Sequence, residues 1–322
     1  MRTASIISTA HGTRTEAFGP VEWALLAGIA GVWGSSFVFI ALGLESFGPG
    51  LITLLRVAFG VGALALFRRA RQPVDRSDWP RIVVLGLVWI AIPLTLFPIA
   101  QLWIDSSLAG MLNGAMPLFS ALIAWILLRN APGLLQVAGL VVGFSGVVLI
   151  SLPATRDASA TALGAGLVIL ATVMYGLAAN IAVPLQQRYG SLPVLVRAQL
   201  VALLAVLPFG LASVPGSDFS LTSAAAMLFL GVLGTGVAFV AMAVLVGRAG
   251  ATRGAVAIYF IPVVAAILGV TFLNETVEAV QLAGMALVIS GAYLTSRRET
   301  RRERQGSGSG LSEAERPIPL AD

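Results

Sequence analysis

The sequence predicts an all-α polytopic membrane protein with ten transmembrane helices, arranged as two inverted five-helix repeats. Three observations carry that reading. Of 322 residues, 57% are hydrophobic and only 11% charged, against about 45–50% apolar and about 25% charged in a soluble domain. Apolar runs of bilayer-crossing length follow one another along the chain. The second half also repeats the first at a fixed offset. With a mean hydropathy of +0.92, the composition excludes a soluble globular enzyme and a disordered chain.

Residues 1–20 are polar and read as a cytoplasmic N-terminal tail. They lack the apolar core and small-residue cleavage site of a signal peptide, so the first apolar run is expected to be an uncleaved anchor. Hydrophobic runs then cover 23–44, 49–67, 82–101, 107–128, 132–151, 163–185, 193–212, 222–246, 253–273 and 277–296. At 1.5 Å per residue, each is near the length that bridges about 30 Å of hydrocarbon. The runs are continuous rather than alternating, which argues for helices over a β-barrel. The expected organisation is a first repeat over 21–151, a periplasmic linker over 152–162, a second repeat over 163–296 and a basic cytoplasmic tail over 297–322. That tail opens with Arg297, Arg298, Arg301, Arg302 and Arg304, followed by alternating Gly and Ser over 306–310. It reads as disordered.

The chain has no Cys, a single His (His11) and 20 basic residues that are all Arg. These absences exclude disulfides, thiolate and Schiff-base chemistry, and any His-based metal site or triad within the membrane. No nucleotide-binding motif occurs. No catalytic residue, metal or cofactor is therefore expected. The pI of 10.6 follows from arginine-rich loops rather than from nucleic-acid binding. With the N-terminus inside, 17 arginines fall in cytoplasmic segments and Arg156 alone outside. The positive-inside rule then places both termini in the cytoplasm, which means a multi-pass protein of the bacterial cytoplasmic membrane.

At an offset of 145 residues, Pro117 falls on Pro262, and Gln136, Ala138 and Gly139 fall on Gln281, Ala283 and Gly284. Ser145, Gly146, Leu149 and Ser151 fall on Ser290, Gly291, Leu294 and Ser296. Trp33-Gly34 resembles Tyr175-Gly176 after an indel. Five spans per repeat is an odd number, so the two copies must cross in opposite directions. Inverted repeats are the architecture of secondary transporters, with substrate near the midplane and alternating access. The repeat already supplies the second half, so a monomer is expected.

The chain resembles the drug/metabolite transporter superfamily, specifically its EamA-like ten-helix members. The resemblance rests on Trp33-Gly34-Ser35-Ser36-Phe37, Arg56, Pro117, the run Gly231 to Gly236, Pro262 to Ala266, Asn274-Glu275 and Gln281 to Gly284. It covers roughly residues 20–296. The family often carries an acid after span 4; here that position is Asn130, and the second repeat alone keeps the acid, as Glu275. The resemblance implies efflux of a small metabolite or drug-like solute, with amino acids or related amphipathic metabolites as one class among several. A lipid translocase or receptor-like membrane protein on the same scaffold is the alternative.

Several polar groups at membrane depth are candidates for a substrate cavity. Arg56 lies halfway down span 2, where a charge costs about 2.5–3.5 kcal/mol on insertion scales. It either meets a substrate carboxylate or bonds carbonyls released by a helix break. Pro117 and Pro262 each remove an N–H and crowd the carbonyl four residues earlier, which makes them candidate helix breaks and hinges. Asn113 and Tyr259 lie at the same level. Trp33, Ser36 and Phe37 share one face of span 1. Trp89 in span 3, Tyr175 and Asn180 in span 6, and Gln199 in span 7 complete an aromatic wall with hydrogen-bonding tips. Arg197 reads as a snorkelling residue, and Trp23 and Trp103 as interfacial belt residues. Gly139, Gly143, Gly284 and Gly291 read as a packing seam between spans 5 and 10. Glu45, Asp105 and Glu275 all lie near the outer ends, so proton or ion coupling stays open beside facilitated movement or exchange.

Overall fold

The computed structural model describes residues 19–128, 133–156, 159–249 and 256–296. Asn130, Arg129, Arg253, His11 and the arginine tail lie outside the described residues. Within them every regular element is a helix. Span 1 is α1 (Pro20–Leu44) and span 2 is α2 (Pro49–Ala65). Span 3 is composite: α3 (Trp79–Leu85), a π-helical stretch (Gly86–Ala91) and α4 (Ile92–Ala100). Span 4 is broken into α5 (Ser106–Asn113) and α6 (Met116–Leu128), and span 5 is α7 (Leu134–Arg156).

The second half follows the same plan. Spans 6 and 7 are α8 (Ser159–Tyr189) and α9 (Ser191–Ala212). Span 8 is α10 (Leu221–Phe229), a π-helical stretch (Leu230–Val237) and α11 (Ala238–Ala249). Span 9 is α12 (Val256–Tyr259) and α13 (Ile261–Leu273), and span 10 is α14 (Ala279–Ser296). Among the described residues, eight segments are long and apolar enough to cross a membrane, and Pro49–Ala65 and Ala279–Thr295 are shorter apolar helices. These two occupy the second and tenth predicted positions.

The helix breaks in spans 4 and 9 fall just before Pro117 and Pro262. Each proline is the second residue of a new helix, where its missing N–H has no helical partner to lose. The predicted linker over 152–162 differs: α7 continues through Pro153 to Arg156, and α8 starts at Ser159. The segment after Pro153 is rich in alanine, the strongest helix former. One proline weakens a helix without always ending it.

Equivalent spans of the two halves run antiparallel. A Cβ built on Gly139 would stand 2.8 Å from the Gly291 carbonyl oxygen, and one on Gly284 2.7 Å from that of Gly146. Rising numbers in span 5 thus meet falling numbers in span 10. Spans 2 and 7 do the same, with Gly50 against Phe209 and Ser213 and Gly60 against Gln199. Spans 4 and 9 follow, with Gly110 on Ala265 and Gly114 on Pro262. Off the axis the contacts come in pairs: Gly34 of span 1 packs on Val264, and Gly176 of span 6 packs on Phe119, the residue 145 positions before Val264. This is the inverted repeat, seen in side-chain detail.

The seam of spans 5 and 10 makes a clear prediction. Gly284→Ala forces a methyl against the Gly146 carbonyl and the Ile150 amide, whereas Gly62, in span 2, has nothing within 4 Å of its built Cβ. Overpacking of this kind costs about 1–3 kcal/mol. Gly284→Ala should therefore lower the thermal unfolding midpoint in detergent, while Gly62→Ala leaves it unchanged or slightly raised.

Candidate functional site

The Gly231-Val-Leu-Gly-Thr-Gly236 run of span 8 forms a π-helical stretch, whose wider turn presents carbonyl groups that an α-helix would bond internally. Three other spans bond to it. The Trp33 indole of span 1 donates to the Gly234 carbonyl at 2.9 Å. Arg56 Nε of span 2 donates to Thr235 Oγ1 at 3.0 Å. The Gln199 amide of span 7 donates to the Thr235 carbonyl at 2.6 Å. Thr235 itself donates to the Leu230 carbonyl five residues earlier, at 3.0 Å, holding the wide turn. Glycine makes these approaches possible: Gly231 rests on Phe59 and the Arg56 carbonyl, and Gly236 on Ala63.

Gly234 faces a small space bounded by functional atoms. A Cβ there would have Ser36 Oγ at 3.4 Å and Arg56 Nη2 at 3.9 Å. Arg56 is 7% exposed and has no ion pair among the described residues. Gln199 is fully buried, and its amide oxygen has no partner. Two aromatic groups flank this centre. Phe239 meets Trp33 and Trp89 edge-on, each at 5.2 Å between centroids. Phe97 meets Phe37 at 5.5 Å and Tyr175 at 5.8 Å. Tyr175 in turn lies within electrostatic reach of Arg56.

Of the predicted cavity residues, the fold thus gathers Trp33, Ser36, Phe37, Arg56, Trp89, Tyr175 and Gln199 around one π-helical turn. Asn113 ends α5, three residues past Gly110, whose Cα faces the Phe37 ring. Its buried side-chain oxygen has no partner. Asn180 and Tyr259 turn elsewhere. Asn180 donates to the carbonyls of Ser120 and Gly176, tying span 6 to span 4. The Tyr259 hydroxyl donates to the Ala292 carbonyl of span 10. Both tips are taken up by helix carbonyls, each of which has a second lone pair to offer. Sequence reasoning missed Thr235, Phe97 and Phe239; the glycine spacing around Thr235 was the one signal for it.

These central residues pack against one another instead of lining an open cavity. The two prominent grooves lie elsewhere and are apolar. One of 530 Å3 runs between spans 4 and 5, lined by Leu122, Trp125, Val141 and Phe144 among others. One of 330 Å3 runs between spans 3 and 7, lined by Leu87, Ile92, Thr95 and Phe209 among others. Neither contains a predicted cavity residue.

The two ends of the bundle are closed by different chemistry. At the arginine-rich end, Asp78 accepts from Arg188 at 2.9 Å and from the Tyr189 hydroxyl at 2.7 Å, and pairs with Arg81 at 3.3 Å. Arg197 caps the turn after span 2 through the Ala70 and Gln72 carbonyls. At the opposite end the contacts are mostly neutral. Gly48 N–H donates to Ser217 Oγ at 2.9 Å, Asp218 N–H to the Ser46 carbonyl at 2.8 Å, and Ser223 Oγ to the Leu42 carbonyl at 2.8 Å. Glu275 adds a charged contact there, accepting from Ser106 and Ser107 N–H.

A family model for EamA-like transporters matches residues 21–152 and again residues 162–297. A protein of Streptantibioticus cattleyicolor named "Probable terminal-alkyne amino-acid exporter" is 28% identical over 292 residues, covering 89% of this chain and 97% of that one. A "Probable amino-acid metabolite efflux pump" of Salmonella typhimurium is 26% identical over 277 residues, covering 82% and 90%. A solved crystal structure shares the fold with a TM-score of 0.60 at 19% identity, covering 85% of this chain and 95% of its own.

One pH dependence follows. Burial, and then the negative charge of Glu275, push the Asp105 carboxyl above its ordinary value of 3.8. A raised acid contributes stability that is present below 3.8 and is lost as pH rises through its folded value. Asp105→Asn should therefore narrow the loss of thermal stability that the wild type shows as pH rises from about 4. Parallel melting curves for the two proteins across that range would contradict the assignment.

Proposed function

The chain belongs to the EamA-like transporter family, and from that premise we propose that it is a secondary transporter exporting a small carboxylate-bearing amphipathic solute of the amino-acid class. The family is one of transporters, not enzymes. The observation that carries the finer reading is Arg56. Its guanidinium sits deep among spans 2, 7 and 8, bonded through Nε to a neutral hydroxyl. An unpaired charge at that depth costs about 2.5–3.5 kcal/mol. A solute carboxylate would relieve that cost, with a bidentate geometry suited to the two remaining nitrogens.

The surrounding residues fit the rest of such a solute. Ser36 and the free oxygen of Gln199 face polar atoms, and the aromatic pairs around Phe239 and Phe97 face an apolar side chain. The names of the Streptantibioticus and Salmonella relatives fall in the same chemical class. Closed packing around Arg56, with contacts at both ends, fits an occluded stage of alternating access. The breaks before Pro117 and Pro262 are the proposed hinges, and the two repeats the proposed moving bodies. The described carboxylates near the bundle ends, not the centre, support movement down the solute's own gradient or by exchange. The arginine-rich end faces the cytoplasm in this reading, with both termini there.

A lipid translocase is less well supported. The grooves that open sideways toward lipid are almost wholly apolar, and Ser145, a polar residue in the larger one, donates its hydroxyl to the Val141 carbonyl. A headgroup would find no partner there.

The test is reconstitution into proteoliposomes without ATP, with counterflow of a labelled apolar amino acid. Hydrogen bonds to a charged group are worth about 1.5–3 kcal/mol, so Arg56→Gln should weaken solute binding about tenfold or more. Its unfolding midpoint should stay close to wild type. Unchanged binding would return Arg56 to a structural role, and strict ATP dependence would sink secondary transport.

A further inference from the structure

We propose that Glu275 is a gating residue: its carboxylate clamps the start of span 4 to the end of span 9 and must let go before the site can open at that end. The inference rests on the alternating-access reading above. The fourth span begins at Ser106, and Asp105 stands at the N-cap position. An aspartate there ordinarily accepts from the first free N–H groups of its own helix. Here the Asp105 side chain makes no such bond. Glu275, from the other half of the chain, takes the place instead, accepting from Ser106 N–H and Ser107 N–H at 2.8 Å each. Two charge-assisted bonds at the positive end of a helix form a strong clasp.

Three local features aim the carboxylate. Asn274 ends α13 in the left-handed region (φ 54°), the one such non-glycine among the described residues. That turn reverses the chain, and Glu275 N–H bonds back to the Gly269 carbonyl at 3.2 Å. Gly269 leaves the room: a Cβ there would collide with the Glu275 carboxylate and lie 3.1 Å from Ser107 Cβ. Below the clasp the two half-spans stay in contact as far as the helix breaks, through Gly110 on Ala265 and Gly114 on Pro262. Gly110 also covers the Phe37 ring. Swinging α5 away from α13 therefore uncovers the aromatic wall, and it cannot happen while Glu275 holds both amides.

The clasp has no charged twin by sequence. The position 145 residues earlier is Asn130. The opposite end is held by the Asp78, Arg188 and Tyr189 group, which joins different spans. The two ends are thus held by different bonds, and at the Glu275 end one carboxylate carries both bonds between spans 4 and 9.

The absence of cysteine in the chain makes a clean test available. Met111 is fully buried, on the same face of α5 as Ser107 and one turn deeper. In Met111→Cys protein reconstituted in liposomes, a membrane-impermeant maleimide should label the lone thiol slowly. Glu275→Gln, which keeps the shape and removes the charge, should raise the labelling rate about tenfold, and Glu275→Ala further. Monodisperse elution and a melting midpoint near the parent show that the variants are folded. Labelling unchanged in folded Glu275→Gln protein would overturn the proposal. The readout needs no solute, so it stands or falls separately from carboxylate binding at Arg56.

Discussion

Hydrocarbon offers a polar group no water, and that single constraint organises this bundle. Most hydroxyls and amides at depth are satisfied by a neighbouring carbonyl. Thr53 donates to Pro49 and Leu94, Thr95 to Ala91, Thr172 to Val168 and Thr295 to Gly291. Asn180 and Tyr259 stitch one span to another in the same way. What remains after this accounting falls in two places, and the first, at the end of the bundle that Glu275 joins, holds both amide atoms of Gln101 and the Ser106 hydroxyl. The unmatched oxygens of Gln199 and Asn113, and the far side of the Arg56 guanidinium, lie close to the same π-helical turn or to the wall beside it. This second place coincides with the candidate site.

Much of the architecture could be read from residue spacing, because it depends on periodicity and on residues with strong local rules. The shared register of Pro117 with Pro262, and of Gly139 with Gly284, marked the helix breaks and the seam of spans 5 and 10. Arg56 stood out because a charge in a hydrophobic run has few explanations. The π-helical stretches did not stand out. Widening of a helical turn is settled by what packs on it, here Gly86 against Ala198 and Val201, and Gly231 against Phe59, and sequence shows no such partners. Thr235 was hidden for the same reason. Asn180 and Tyr259 were drawn into the cavity by their chemistry, yet each had a closer carbonyl.

The halves share one fold and differ in how their ends are fastened. A cluster of ion pairs around Asp78 closes one end, and neutral hydrogen bonds with one carboxylate close the other. Symmetric scaffolds of this kind move between two shapes whose energies would be equal if the copies were identical. Differences such as Phe119 against Val264, on the paired contacts with Gly176 and Gly34, tilt that balance. In the proposed cycle, direction and resting posture would follow from the departures from symmetry, and the ability to alternate from the symmetry itself.

The glycine seam between spans 5 and 10 has an evolutionary corollary. Gly139 faces Gly291 and Gly146 faces Gly284, so each close approach draws one glycine from either copy of an ancestral unit. When the unit stood alone, one codon change would have struck both sides of the interface at once. In the fused chain each side can change on its own, and because both partners are already glycine, a bulkier residue must be met by movement of the helices and not by a smaller opposite number. Duplication thereby uncouples the two glycines of each contact in sequence while the packing keeps them coupled in space.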